Sequence, residues 1–347
     1  MSNDLTNRAE MTRYARQVRL SQIGKEGQQK LATARVAIVG MGALGSATAE
    51  WLARAGTGML RLIDRDVVEW SNLSRQTLYG EQDAIAATPK PHAAQNRLQA
   101  INSSIAYEAI ADDVDATNAL DLLSDVDIIV DGTDNYATRR LLNDVSVAQG
   151  IPWSYAGAVG TYGTTALFRP GETPCFACLF PDPDPVAYDT CDTVGVFGPT
   201  IGVIASLQAA AVMKYIIGAD DEGAGVTTYD VWANTSYTAR FGPKRDTCLC
   251  CGQRVFQSLR ADMRPLAVTM CGRDTIQVRP SGVTRTVDLV GVAQRLGSLG
   301  QVQVTPHLLR FQSDTEGFYL FPNGRALVFG VSDASRARNI YARYIGM

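Results

Sequence analysis

One stretch, residues 36–79, constrains the fold of this chain more than any other feature of its sequence. An apolar run at residues 36–39 leads directly into the segment Gly40-Met41-Gly42-Ala43-Leu44-Gly45. A second apolar run at residues 59–63 ends in Asp64, nineteen residues after Gly45. This order of strand, tight turn, helix, strand and acid is typical of the nucleotide-binding half of a doubly wound α/β sheet.

The residues that follow Asp64 favour a nucleoside triphosphate, and therefore ATP, over a dinucleotide. Glycines let the backbone approach phosphates at a helix N-terminus, and Asp64 would accept hydrogen bonds from a ribose hydroxyl. An NAD-dependent oxidoreductase, the main alternative, leaves the next polar side chains without a role. These are Asp66, Asn72, Arg75, Gln76 and, at the start of a later helix, Lys90. The simpler interpretation is that Asn72 and Arg75 lie in a solvated loop with an asparagine cap and that Lys90 is a surface lysine.

A carboxylate pair follows another apolar strand, at residues 126–130. In an open α/β sheet, ligands bind beyond the carboxyl ends of the strands, so Asp131 and Asp134 lie at the expected edge. Carboxylate oxygens are natural magnesium ligands. The alternative is that Asp134 or Asn135 only caps the helix that follows, and capping is compatible with metal binding.

The cysteines form a recognisable pattern. Two CxxC pairs, separated by 69 residues, predict a tetrahedral four-cysteine zinc site of structural type, formed by Cys175, Cys178, Cys248 and Cys251. Cys250 makes a CxC pair with Cys248 possible as well. The simpler alternative is four unlinked buried thiols. Cys191 stands apart in a polar segment before a long helix, where a thiol is either a nucleophile or a small buried residue.

Composition indicates a soluble enzyme and excludes several classes of protein. The net charge of −3 provides no basic surface for nucleic acid, and the longest apolar stretch, residues 201–217, is interrupted by Ser206, Gln208 and Lys214. We therefore expect a buried helix there and no membrane segment. The polar N-terminus lacks the apolar core of a secretory signal, and a cytoplasmic location is expected.

Alternating patterns predict βαβ units and a mostly parallel sheet. Strands are predicted near 35–40, 58–64, 105–111, 126–131 and 151–156, and helices near 43–56, 88–102, 116–124 and 135–149. Later elements are an antiparallel segment at 158–168, a helix at 199–217 and a hairpin at 226–241. The predicted fold is a Rossmann-like doubly wound domain with a zinc site, residues 1–262, and a small α+β domain, residues 263–347.

The full set of motifs resembles the ThiF/MoeB/HesA family of ubiquitin-activating-like adenylyltransferases. Its parts are Arg13-Tyr14-Ala15-Arg16-Gln17, the glycine segment, Asp64 with residues 71–76, Pro89-Lys90, residues 131–135, Cys191 with its neighbours and the paired CxxC motifs. The resemblance extends from about residue 11 to residue 256. The remaining residues resemble the tail of a longer ThiF-type subgroup, which favours thiamine biosynthesis.

This resemblance implies adenylation of the C-terminal glycine of a ubiquitin-like sulfur carrier protein, ThiS-like or MoaD-like, in thiamine or molybdenum cofactor biosynthesis. MgATP would be consumed and pyrophosphate released, and a cysteine desulfurase or rhodanese would supply sulfur afterwards. The runner-up within ATP chemistry is activation of a carboxylate on a tRNA nucleoside, against which the acidic balance argues. A non-catalytic binding module is a further alternative.

The resemblance also implies roles for single residues. The glycine segment would hold the nucleotide and Asp64 its ribose, while Asn72, Arg75 and Lys90 would bind phosphates and Asp134 magnesium. Further contacts with the nucleotide are expected from Asp66, Gln76, Asp131 and Asn135. Arg16 would reach ATP from the other subunit of a homodimer, and Cys191 matches a cysteine that some members link covalently to the carrier.

Overall fold

The computed structural model describes residues 12–180, 194–219, 224–260, 267–269, 275–279 and 286–346. The chain divides into two compact units, Met1–Met263 and Arg264–Met347. That they match two independently folding domains, 1–262 and 263–347, stays a prediction. Cys191 and residues 181–185 lie outside the described residues, as does Cys271.

The first unit is formed around an eight-stranded sheet with the order β3-β2-β1-β4-β5-β6-β7-β8. The strands are β1 (Arg35–Val39), β2 (Met59–Ile63), β3 (Ala106–Ile110), β4 (Ile128–Asp131), β5 (Trp153–Val159), β6 (Tyr162–Phe168), β7 (Gly225–Asp230) and β8 (Thr235–Arg240). Strands β1 to β5 pair in parallel and β5 to β8 antiparallel. The predicted Rossmann-like, mostly parallel sheet is therefore confirmed.

Helices cover both faces of this sheet. They are α1 (Ala15–Val18), α2 (Gly24–Thr33), α3 (Ala43–Ala55), α4 (Glu81–Ile85), α5 (Lys90–Ile101), α6 (Ala119–Leu122), α7 (Tyr136–Gln149), α8 (Phe176–Leu179) and α9 (Gly198–Ile217). Alternate residues of β1 enter two separate cores, with Val36 and Ile38 in one and Ala37 and Val39 in the other. A strand buried on both faces explains the continuous apolar run in the sequence.

Helix α9 is, within the described residues, the one helix long and apolar enough to cross a membrane. It packs into the first unit instead, with Ile204 and Ala205 fully buried. Its Gln208 is also fully buried, and its Nε2 atom donates to the carbonyl oxygens of Asp131 at 2.9 Å and Ser154 at 3.0 Å. These are the contacts of the predicted buried helix.

The second unit contains a six-stranded antiparallel sheet with the order β11-β12-β13-β14-β10-β9. Its elements are β9 (Ala267–Thr269), β10 (Thr275–Val278), α10 (Leu289–Leu296), β11 (Gln301–Val304), β12 (Leu309–Gln312), β13 (Gly317–Leu320), β14 (Ala326–Phe329) and α11 (Ala334–Tyr344). A shared core contains Leu296 and Ile340 of the two helices with Phe311 and Phe318 of the sheet. This is the predicted small α+β fold.

Candidate functional site

Two backbone loops meet where the strand order reverses, between β1 and β4. The glycine segment leaves β1, residues 131–134 leave β4, and the Gly132 amide donates to the carbonyl oxygen of Val39 at 2.8 Å. A Cβ atom at Gly45 would lie 1.8 Å from the Gly40 carbonyl oxygen, and one at Gly132 2.3 Å from the same atom. The loops therefore pack backbone against backbone. Gly132 was not predicted as a site residue, because its packing partners Gly40 and Gly45 are distant in the sequence.

Gly42 differs from these packing glycines. A Cβ atom at Gly42 would have a single neighbour within 4 Å, the Gly132 carbonyl oxygen at 3.9 Å. Space beside it is therefore open at the start of α3, where free N–H groups favour an anion. Ala43 and Leu44 form the first turn of α3, and the Leu44 side chain is buried, so its backbone is the part that remains for a nucleotide.

Asp64 directly follows β2 and links the glycine segment to the next loop. Its two carboxylate oxygens accept from the backbone amides of Met41 and Asp66, each at 2.7 Å. Burial raises the pKa of Asp64, and the positive charge of Lys90 opposes that rise. Each carboxylate oxygen has a second lone-pair site, so Asp64 retains capacity for a ribose hydroxyl.

Lys90 is a buried residue, and the interpretation as a surface lysine is wrong. Its Nζ atom lies 3.0 Å from the Asp66 carboxylate, and its side chain is only 5% exposed. The Lys90 amide also donates to the Asp66 carbonyl oxygen at 2.9 Å. Burying an ammonium group is costly unless it is paired, so Asp66 stabilises a cation next to Asp64.

The loop after β2 contains a short 3-10 helix, Trp70–Asn72, with Asn72 fully buried. The Asn72 side chain accepts from the Glu69 amide at 3.1 Å, so the asparagine does form a cap, but it is a buried one beside the exposed Trp70 and Ser71. Arg75 donates to the Ser71 carbonyl oxygen at 2.9 Å and is half-buried. Gln76 is 4% exposed, and its Oε1 atom has no partner within the described residues.

Tyr79, which sequence reasoning also missed, holds the glycine segment through a hydrogen bond. Its hydroxyl donates to the Met41 carbonyl oxygen at 2.6 Å. Burial raises the pKa of Tyr79 well above its usual value, so it remains a neutral donor. Nothing in the local spacing distinguishes this tyrosine from an ordinary core residue.

The acids after β4 have different environments. Asp131 is fully buried, and its Oδ1 atom accepts from the amide and the hydroxyl of Thr133 at 2.8 and 2.7 Å. Its Oδ2 atom lies 3.2 Å from Nε of Arg139, so the expected contact of Asp131 with the cofactor is not supported. Asp134 is exposed, and Asn135 caps α7 by accepting from the Thr138 amide at 2.8 Å. Asp134 is thus the carboxylate available to a cation.

Arg16 lies near the end of α3 that is far from the glycine segment. It belongs to α1, where the neighbouring Gln17 donates to the Ala55 carbonyl oxygen at the C-terminal end of α3. Helix α3 has 13 residues. At about 1.5 Å per residue, its two ends are about 20 Å apart. Arg16 is exposed, so it is available to another chain.

The four predicted metal-binding cysteines come together. The Sγ atoms of Cys175, Cys178, Cys248 and Cys251 all lie within 4.8 Å of one another. Three separations are 3.9, 3.7 and 3.4 Å, between Cys175 and Cys178, Cys175 and Cys248, and Cys178 and Cys251. A tetrahedron with zinc–sulfur bonds of about 2.3 Å has edges of about 3.8 Å, so the group fits zinc.

Three of these thiols have shifted pKa values. Hydrogen bonding from Cys250 lowers the pKa of Cys175 to about 4, whereas burial raises the pKa values of Cys248 and Cys251. Four thiolates would not form here without a positive ion between them. Cys250 lies outside the four-sulfur group, and its Sγ atom accepts from Asn143 at 3.1 Å. The group thus contains the CxxC pair and not the CxC pair.

Comparison with known proteins decides the family. Residues 14–250 match the profile of the ThiF family. The chain belongs to the ThiF family. This confirms the resemblance inferred from the sequence motifs, and the match includes both loops of the candidate site and three of the four clustered cysteines, ending one residue before Cys251.

Relatives within the ThiF family cover different parts of the chain. The sulfur carrier protein ThiS adenylyltransferase of Bacillus subtilis is 42% identical over 336 residues, 96% of this chain and 99% of that protein. The adenylyltransferase and sulfurtransferase MOCS3 of Sus scrofa is 39% identical over 71% of this chain and 54% of its own length. The crystal structure of E. coli MccB with ATP has a TM-score of 0.58 and 27% identity, covering 65% of this chain and 69% of that one.

Proposed function

We propose that this chain is a sulfur-carrier protein adenylyltransferase. It would join AMP from ATP to the C-terminal glycine of a ubiquitin-like carrier, forming an acyl adenylate and releasing pyrophosphate. The observation that supports this most strongly is the 42% identity with a ThiS adenylyltransferase over 96% of the chain. Open space beside Gly42 supports a phosphate site, and so does the buried cation of Lys90, which is linked to the glycine segment through Asp66 and Asp64.

The chemistry requires no general base. The nucleophile is a terminal carboxylate with a reference pKa of about 3.3–3.7, so it is already ionised at neutral pH. The barrier lies in bringing this anion to the α-phosphorus of a polyanion, and cations that neutralise the phosphates lower it. Lys90 and Arg75 would supply this charge in each protomer. Asp134 would hold magnesium, which neutralises phosphate charge when bound.

The four-cysteine group would hold a structural zinc ion. Four protein ligands leave no open coordination position, so the ion would take no part in the reaction. Its ligands belong to two segments 69 residues apart, and the ion would join them. Binding energies of about 10–16 kcal/mol for such sites contribute directly to folding.

A homodimer with Arg16 acting in trans explains the position of that residue. A groove between α3 and α9 offers an apolar surface for a second copy, and Trp51 and Leu207 are exposed there. Its other lining residues include Ala47, Thr77, Pro199 and Val203. The α3 residues of this surface lie from Ala47 to Arg54, and Pro199 belongs to the first turn of α9.

Coverage of the relatives favours a ThiS-like carrier over a MoaD-like one. The match with the Bacillus subtilis protein includes the second unit, whereas the match with MOCS3 includes 71% of this chain. Sulfur would then come from a cysteine desulfurase or rhodanese, with Cys191 as the candidate for a covalent link to the carrier. A cytoplasmic location agrees with this role.

Exchange of labelled pyrophosphate into ATP tests the proposal. We expect exchange only when a carrier ending in Gly-Gly is present, and faster exchange with a ThiS-like than with a MoaD-like carrier. A carrier with an amidated C-terminus is the control, because it lacks the attacking carboxylate. Exchange that depends on tRNA, or hydride transfer with NAD in its absence, would replace this proposal with one of the alternatives.

A further inference from the structure

Arg139 is a largely buried cation near the candidate site, and no motif in the sequence predicted it. It lies in the first turn of α7, with a side chain that is 15% exposed. Its guanidinium group donates to Asp131 Oδ2 at 3.2 Å, to the Thr133 carbonyl oxygen at 2.7 Å and to the Ala156 carbonyl oxygen at 3.1 Å. The ring of Tyr155 lies beneath it, 5.1 Å from the guanidinium carbon.

The contacts of Arg139 connect the loop at residues 131–134 to the adjacent strand. Asp131 begins the loop, Thr133 is in its middle, and Ala156 and Tyr155 belong to the adjacent strand β5. On the opposite side, Gln208 of α9 holds the Asp131 carbonyl oxygen. The planar fork of arginine suits such a set of separate acceptors better than the single ammonium of lysine does.

We propose that Arg139 and Asp131 form a positioning pair that presents Asp134 to the magnesium ion of the bound nucleotide, without contact between the pair and the substrate. The inference rests on the proposed function, because it assumes a MgATP site at Asp134. Asp131 accepts three hydrogen bonds from Thr133 and Arg139, whereas the next acid along the loop is exposed. Asp131 would therefore shape the loop, and Asp134 would face the ion.

Variants of the pair distinguish this role from direct binding. Asp131→Asn keeps the shape of the side chain and removes its charge, and Arg139→Met removes the donors. We expect each to weaken ATP binding in the presence of magnesium by about tenfold or more, the usual effect of losing a group that orients a metal ligand. ATP binding without magnesium should change by less than about twofold, because the glycine segment is unaltered.

Titration calorimetry on the full chain, with and without magnesium, gives this comparison. Arg140→Met is the matched control, since it removes the neighbouring arginine of α7, and it should leave magnesium dependence unchanged. Arg139→Lys should recover part of the loss. If Arg139→Met does not fold, Asp131→Asn and Arg139→Lys complete the test.

Two results would overturn the inference. One is unchanged magnesium dependence in folded Asp131→Asn and Arg139→Lys. The other is equal weakening of ATP binding with and without the metal, which would indicate general loss of structure. Wild-type protein that binds MgATP but fails in carrier-dependent exchange would instead contradict the proposed function alone.

Discussion

At the scale of single residues, the glycine segment contains positions with two different requirements. Gly45 is needed for packing, because an added Cβ would lie 1.8 Å from the Gly40 carbonyl oxygen. Gly42 has no such neighbour closer than 3.9 Å, so its lack of a side chain serves something outside the chain. Substitutions at Gly42 and Gly45 can therefore distinguish a binding role from a packing role.

Gly45→Ala should reduce stability, whereas Gly42→Ala should reduce ATP binding. We expect Gly45→Ala to lower the free energy of unfolding by about 1–3 kcal/mol, as overpacking does. Gly42→Ala should unfold at nearly the wild-type temperature but bind ATP more weakly, because its methyl group occupies the space for phosphate. Thermal melts and ATP titrations measure the two effects. Equal melting temperatures for both variants would refute this division.

Arg75 offers a second test at this scale. Its one described hydrogen bond inside the chain goes to the Ser71 carbonyl oxygen, so Arg75→Ala should leave the fold intact. If the guanidinium group binds phosphate in the transition state, pyrophosphate exchange should fall by about 10²-fold or more. Circular dichroism provides the control for folding. Near-normal exchange in a folded variant would remove Arg75 from the proposed mechanism.

At the scale of elements, hydrophobic periodicity predicted the sheet and most of its helices. The boundaries of the elements, and contacts between residues distant in sequence, were harder to predict. The helix expected at 116–124 is reduced to Ala119–Leu122, because Asp115 and Asn118 form local hydrogen bonds that close a turn before it. The zinc pattern was predictable because each half is local. Gly132, Tyr79 and Arg139 were not, since their partners come from other strands and loops.

The cysteine group allows a prediction at this scale. Cys178→Ser should lower both zinc content and melting temperature, because it removes a ligand that joins two distant segments. Cys250→Ser is the matched control, since its sulfur lies outside the four-sulfur group and accepts from Asn143. Metal analysis together with thermal melts checks both. Loss of zinc from Cys250→Ser alone would mean that the ligand set is wrong.

At the scale of the whole molecule, the position of Arg16 supports the proposed dimer. The arginine lies next to the C-terminal end of α3, while the glycine segment precedes the N-terminal end of the same helix. Each site of the proposed dimer would therefore combine Arg75 and Lys90 of one protomer with Arg16 of its partner. Closed twofold symmetry then gives two equivalent sites.

Mixing two inactive variants tests this arrangement. Arg16→Ala and Arg75→Ala each impair both sites of their own homodimers. In a mixed dimer, one site contains both substitutions and the other contains neither. Equal mixing with random exchange of subunits should therefore restore about a quarter of wild-type exchange activity. No recovery, despite mixed dimers seen by native mass spectrometry, would show that Arg16 acts within its own protomer.

The central claim is that cations and a divalent ion gather around ATP so that a carrier carboxylate displaces pyrophosphate. Intact-mass measurement of a ThiS-like carrier after incubation with the full chain and MgATP tests it most directly. The account predicts AMP on the terminal glycine of the carrier and none on a carrier with an amidated end. An unmodified carrier, with ATP bound but unconsumed, would contradict it.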